Sequence, residues 1–421
     1  MKNVLLLATT TGYQIRSFGQ AAQKLGVRLV FASDRCDQLD DPWADRAIPV
    51  RFHDEIGSVG DVVASCENPI HGVIAVGDRP TVLAAALARE FDLPGNPLAA
   101  VAASRNKLAS RQVFRDAGLP TPSFEVVSID ADPARLAAGR SYPLVIKPLA
   151  LSASRGVMRV DAEADFVPAF TRLRTLLQSI DVRAERDTAH DQVLIESFIP
   201  GREYAVEAAI SRGFFQVFAI FDKPDPLDGP FFEETIYVTP SRAPLDEQEA
   251  IVRHVERATR ALGLRYGPVH GECRVNDTGV FVLEVASRPI GGLCSRAVRL
   301  QSSAGAAASL EEVLLRHAIG EDISGYHHSK DASGVMMIPI PARGIFRGVS
   351  GVSDAMAVDG IDDVQITAKI DEILVPLPEG HSYLGFIFAS ADHPERVERA
   401  LREAHARLKF SIEKAPIMAR R

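Results

Sequence analysis

His270-Gly271-Glu272-Cys273-Arg274-Val275-Asn276-Asp277-Thr278-Gly279-Val280-Phe281-Val282-Leu283-Glu284-Val285-Ala286-Ser287-Arg288 reads as a β-hairpin with one glutamate on each arm. Asn276-Asp277-Thr278-Gly279 is a turn signal between two strand-like runs. A three-residue loop, Asp277-Thr278-Gly279, with its glycine left-handed pairs Asn276 with Val280. Counting back along that ladder sets Glu272 opposite Glu284. Like charges directly across an antiparallel pair, with side chains about 5 Å apart, destabilise it, so this pair asks for a cation. Mg²⁺ answers the need, because it takes oxygen ligands and sits between one or two carboxylates and substrate phosphates. Arg288 shares the face of Glu284 if the strand continues. The apolar neighbours Val280, Val282, Leu283 and Val285 argue against a fully solvated hairpin.

Outward from the hairpin, 421 residues allow two to four domains or subdomains and a large core without disulfides. A net charge of −8 gives no footprint for nucleic acid or an acidic membrane surface, so any polyphosphate binding is local. Cys36, Cys66, Cys273 and Cys294 form no Cys-x-x-Cys pair, which disfavours structural zinc or a disulfide framework and suits a reducing cytoplasm. The apolar run Val4–Ala8 is too short for a signal-peptide core and reads as a first strand, and no stretch approaches the roughly 20 apolar residues of a membrane helix.

Residues 1–103 alternate strands (Val4–Ala8, Arg28–Ala32, Val73–Val76) with helices (about Tyr13–Leu25 and Thr81–Glu90), the pattern of an α/β unit with a parallel sheet covered on both faces. Thr9-Thr10-Thr11-Gly12 lacks G-x-G-x-x-G and reads as a simple strand-to-helix turn. After the breakers Asp92–Pro97, residues 98–117 read as one or two helices containing Lys107. The strand Pro143–Pro148 carries Lys147 and leads into Leu151-Ser152-Ala153-Ser154-Arg155-Gly156, small residues that let backbone N–H groups approach phosphates. A helix at about 163–179 follows, then a charged stretch, Asp181–Asp191, expected as an exposed loop. From about 331, Gly334–Pro339, Ile361–Ile370, Leu384–Ser390 and a helix Pro394–Leu408 make a small α+β appendage.

The order Lys107, Ile146-Lys147-Pro148 with its loop, Glu196-x-x-Ile199-Pro200-Gly201-x-Glu203-Tyr204, Glu272, Glu284-x-x-x-Arg288 resembles the ATP-grasp superfamily of carboxylate–amine ligases across essentially the whole chain. Glu284–Gly292 and Pro376–Phe386 look most like L-amino-acid ligases that form dipeptides and carnosine synthase-like enzymes. The implied architecture, α/β and α+β, has a pre-ATP-grasp domain at 1–103, an ATP-grasp core at 104–330 with a lid at about 142–203, and a C-terminal α+β subdomain at 331–421.

The resemblance also implies roles. Lys107 and Lys147 bind the α- and β-phosphates, and the loop with Ser154 and Gly156 closes over the triphosphate. Glu196 and the Ile199 backbone hold adenine, and Glu203 the ribose. Glu272 and Glu284 ligate one or two Mg²⁺, with Mn²⁺ as substitute, and Arg288 meets the transferred phosphoryl group. Ala286 stands where many members carry a metal-binding asparagine. Glu234 would hold a substrate ammonium group, Tyr237 would shape the acyl pocket, and backbone N–H groups at Gly291 and Gly292 would face the oxyanion. His270 would lie behind the metal or simply pack under the hairpin. The implied partners are a small-molecule carboxylate and an amine, with a homodimer left open. A carboxylase-type or purine-pathway ligase and a non-catalytic ATP-binding module remain rival readings.

Overall fold

The computed structural model describes residues 1–9, 14–34 and 47–414. The first strand, Asn3–Ala8, is one of the two inner strands of a parallel four-stranded sheet ordered Ile48–Pro49, Arg28–Ser33, Asn3–Ala8, Gly72–Val76. Its side chains alternate between two cores, as the two-residue strand period requires. Val4, Leu6 and Ala8 pack with Phe18 and Leu314, whereas Leu5 and Leu7 pack with Val62, Leu83 and Leu87. Helices therefore cover both faces, as expected. The first helix runs Ile15–Leu25; Tyr13, Thr10–Gly12 and Cys36 lie outside the described residues.

The central sheet has eight strands in the order Gly279–Ala286, Gly267–Asn276, Arg202–Ser211, Phe214–Asp222, Ile236–Thr239, Ala332–Ile338, Gly385–Ala391, Ile361–Ile366, with all neighbours antiparallel. The C-terminal α+β segment is thus hydrogen-bonded into the same sheet as the hairpin, through Ala332–Ile338. Helix Leu245–Leu262 lies under the hairpin so closely that a Cβ at Gly271 would stand 2.5 Å from Val255 Cγ1. Glycine between His270 and Glu272 is what lets this strand sit on its supporting helix.

A second four-stranded sheet, Phe124–Ser128, Gln192–Ser197, Leu144–Pro148, Met158–Val160, is backed by helix Glu163–Leu177 through Phe166, Phe170 and Leu173. It takes in a strand that precedes the lid expected at about 142–203. Asp181–Asp191 is a correction: it holds the short helix Ile180–Arg183 and the 3₁₀ turn Thr188–Asp191, with Ala189 and His190 buried. Arg183–Asp191 and Arg155–Asp181 ion pairs tie the charges together, which a count of charged residues could not foresee. No helix among the described residues is long and apolar enough to cross a membrane.

Candidate active site

The hairpin reaches the expected pairing by another route. Its turn has two residues, Asp277-Thr278, so Asn276 pairs with Gly279 and Val275 with Val280, rather than Asn276 with Val280. The Asn276 side chain accepts the Thr278 N–H at 2.9 Å, closing the shorter turn. A bulge at Leu283 then restores the register, and Glu272 does stand opposite Glu284. The bulge has its own support: Arg111 Nη1 donates to both Val282 O and Leu283 O at 2.9 Å. Helix Lys107–Asp116 delivers Arg111, which is 1% exposed, after Asn106 caps its first turn through Leu108 N and Ala109 N.

Arg111 also reaches the small sheet, where its Nε lies 2.5 Å from Glu196 Oε1. The other Glu196 oxygen lies 2.5 Å from Lys147 Nζ. Burial pushes the Glu196 carboxyl up, but Arg111 and Lys147 outweigh it and hold it down to about 2. Burial pulls Lys147 down to about 8 against the pull of Glu196. Glu196, expected to hold adenine, therefore has both carboxylate oxygens engaged by cations. Ile199 O likewise accepts from Arg274 Nη1 at 2.7 Å. Lys107, the first residue of its helix, spans Leu151 O at 2.7 Å and Glu284 Oε2 at 3.4 Å, joining the small-residue loop to the hairpin.

Lys223, which the sequence reading passed over, is the hub on the other side. Its Nζ lies 2.8 Å from Glu203, 2.5 Å from Glu234 and 3.0 Å from Glu272. One oxygen from each of these carboxylates falls within 4.8 Å of the others. Burial alone would lower the lysine, yet the three carboxylates raise it well above its ordinary value. Burial raises the Glu234 carboxyl to about 7 despite Lys223, and Glu272, drawn by Lys223 and His270, is held well below the usual carboxylate range although burial opposes this. Glu234, expected to meet a substrate ammonium, thus has a lysine as its first partner, and Glu203 is shared between Lys223 and Arg274. The only sequence signal for Lys223 was a cation directly after the apolar strand Phe214–Asp222, a placement akin to the one that drew notice to Lys147.

The third wall joins distant segments. His270 is buried, with Nδ1 3.1 Å from Glu207 and Nε2 3.4 Å from Glu272. Glu207, fully buried, also accepts the Ile290 N–H at 3.1 Å, fixing the approach to Gly291-Gly292. The strand ends at Ala286, so Arg288 follows it in a loop, not on the strand face, and its guanidinium meets Asp78. Glu272, Glu284, Lys107, Lys147, Ser154, Glu196, Ile199, Glu203, Glu234, Tyr237, His270, Arg288, Gly291 and Gly292 all line one cavity of about 580 Å³. Gly156 does not; it is left-handed at φ +77°, a Cβ there would stand 2.9 Å from Leu173, and its N–H donates to Pro378 O at 2.8 Å. The segment after Pro376 thereby clasps the small-residue loop, with Arg155 Nε on Glu379 O at 2.8 Å, and adds His381 and Tyr383 to the cavity.

Comparison with known proteins matches these parts to three family descriptions: ATP-grasp N-terminal domain over residues 19–95, ATP-grasp domain over 140–297, and L-amino acid ligase C-terminal domain 2 over 336–413. Together with the likenesses that follow, these domains mark an ATP-dependent ligase that forms C–N bonds. The chain belongs to the ATP-grasp superfamily. It superposes on the L-amino acid ligase from Bacillus licheniformis with a TM-score of 0.83 at 26% identity, covering 98% of this chain and 99% of that one. A D-alanine–D-alanine ligase of Aromatoleum aromaticum is 27% identical over 52% of this chain and 70% of its own. An uncharacterized protein of Sinorhizobium fredii, y4rH, is 25% identical over 98% of this chain and 84% of its own.

Proposed function

We propose that this ligase activates an amino acid as its acyl phosphate at the expense of ATP and joins it to an amine, most simply the amino group of a second amino acid. One observation carries the reading: the full-length likeness to an L-amino acid ligase coincides with a cavity that brings Lys107, Lys147 and Arg288 together with Glu272 and Glu284. A carboxylate is a poor electrophile until one oxygen becomes a leaving group. Phosphoryl transfer asks the protein mainly for position and charge neutralisation. Lys147, steadied by Glu196, and Lys107 would take the phosphates. Arg288 would hold the equatorial oxygens.

The donor set fits Mg²⁺, because Glu272 and Glu284 face each other and Glu203 and Glu234 extend oxygen ligands beside Glu272. Glu272 and Glu284 would hold the ion, and it would neutralise phosphate charge when bound. Ala286, 3% exposed, adds no ligand, so a second ion would need Glu203 or Glu234. Phe232, Tyr237, Met337 and Tyr383 give the cavity an apolar flank for an amino-acid side chain. Backbone N–H groups at Gly291 and Gly292 would face the tetrahedral oxyanion. The clasp of 151–157 by the Pro376 segment would exclude water, which hydrolyses acyl phosphates. Free Cys66, Cys273 and Cys294 fit a cytoplasmic setting.

The test is phosphate release and product mass with ATP, Mg²⁺ and pooled amino acids. Amino-acid-dependent release with dipeptide masses is expected. Release stimulated by bicarbonate alone would favour a carboxylase-type ligase, and tight ATP binding without release under any pool would favour a binding module.

A further inference from the structure

Asp78 and Arg288 are 210 residues apart in sequence and meet as a two-point pair, Nε to Oδ1 at 2.9 Å and Nη2 to Oδ2 at 3.1 Å. Asp78 comes from the N-terminal sheet. The chain leaves strand Gly72–Val76, turns at Gly77 with φ +87°, and presents Asp78 at the carboxyl edge, where parallel sheets place ligand contacts. Its backbone is held, because Asp78 O accepts from Thr81 Oγ1 at 2.7 Å at the start of helix Thr81–Glu90. Both side chains line the cavity, and Arg288 is only 8% exposed.

A guanidinium offers five N–H donors in a fixed plane. Asp78 takes one on Nε and one on Nη2, and Pro289 O takes one on Nη1 at 3.0 Å. One N–H on Nη1 and one on Nη2 remain for oxygens of a phosphoryl group or carboxylate. Other charges compete for this arginine. Glu284 and Glu272 attract it, whereas Lys107 and Arg105 lie close enough to Asp78 to favour its ionised form. Released from Asp78, Arg288 would be drawn onto the hairpin glutamates, the very groups proposed to hold metal.

We propose that Asp78 is a positioning residue for the ligase reaction: it holds the Arg288 guanidinium off the hairpin carboxylates with two donors presented to the reacting group. The N-terminal α/β unit thereby contributes to the chemistry through a single ion pair. The inference rests on the reading of Arg288 as the group that meets the transferred phosphoryl, and the experiment separates the two.

The experiment is a double-mutant cycle on the full chain. ADP formation is followed from MgATP alone and with the twenty protein amino acids pooled. Asp78→Asn is expected to lower kcat about tenfold or more with KM for ATP within about twofold, and to cost nothing further when added to Arg288→Lys, because coupled residues are non-additive. Asp78→Ser, a second neutral variant, repeats the cycle if Asp78→Asn folds poorly, with the same outcomes expected. A kcat within about twofold of the parent, or a full additional loss in the Arg288→Lys background, overturns the role of Asp78. Undiminished kcat in Arg288→Lys itself overturns the reading of Arg288.

Discussion

Lys147 Nζ stands 2.5 Å from Glu196 Oε2 in a site where both side chains are almost wholly buried, and Arg111 holds the opposite carboxylate oxygen. One carboxylate shared by two cations leaves Lys147 incompletely neutralised, and burial brings its pKa down to about 8. Its charge is therefore sensitive to mildly alkaline pH.

Nucleotide binding should show this directly. A bound triphosphate favours the charged lysine, so binding at about pH 8.5 should take up protons, seen as a dependence of calorimetric heat on buffer ionisation. Affinity should fall as pH rises above 8. Lys147→Ala should weaken ATP binding at least tenfold, about 1.4 kcal/mol, and abolish the proton uptake. Stability has the opposite sign: between about 8 and the ordinary lysine value of 10.5 the unfolded chain binds more protons, so this group makes folding more favourable as pH rises. Equal ATP affinity in Lys147→Ala would remove the phosphate-site assignment.

Glu272→Gln and Glu284→Gln should each abolish turnover at ordinary Mg²⁺ while the chain stays folded. The simple expectation from two opposed glutamates is that neutralising either relieves repulsion. The structure changes that for Glu272, which already neutralises Lys223 and His270. Glu272→Gln should lower the stability of the ligand-free protein by about 1–3 kcal/mol. A rise in its melting temperature, or full activity in either variant, would contradict the arrangement.

Lys223→Met leaves Glu203, Glu234 and Glu272 converging without their cation. Losing one partner of a buried ionic cluster costs about 3–5 kcal/mol, and Mg²⁺ should recover part of that in thermal unfolding. A variant as stable as the parent and indifferent to Mg²⁺ would argue that the cluster is more solvated than its burial indicates.

Arg111→Met should destabilise by a similar mechanism, about 3–5 kcal/mol, because Glu196 loses a partner and the carbonyls of Val282 and Leu283 lose their donor. ATP affinity should fall along with stability, since Lys147 is then steadied by a less constrained carboxylate. Unfolding in urea and ATP calorimetry on the same preparation check both.

Arg288→Lys should bind ATP normally yet lose about 10²-fold or more in kcat, about 2.7 kcal/mol, because an ammonium cannot reproduce the planar fork. Loss of ATP affinity with kcat intact would make Arg288 a nucleotide anchor instead.

By itself the sequence determined the parallel N-terminal sheet, the hairpin and the facing of Glu272 and Glu284, because strand periodicity, turn residues and their spacing are local. It also determined the superfamily, because Lys107, Lys147, Glu196, Glu203, Glu272, Glu284 and Arg288 come in a recognisable order. The two-residue turn and the Leu283 bulge were not legible, since two compensating shifts leave the same final pairing. Only the tertiary structure brought Asp78 to Arg288, Glu207 to His270, Lys223 among three carboxylates and Pro378 to Gly156. These partnerships depend on which strands become neighbours in the sheets and on which buried charge finds a counter-charge, and long-range pairing of that kind leaves no periodicity in the chain. A buried ion must be compensated by whatever group the fold places within reach, so the identity of that group is a property of the folded protein.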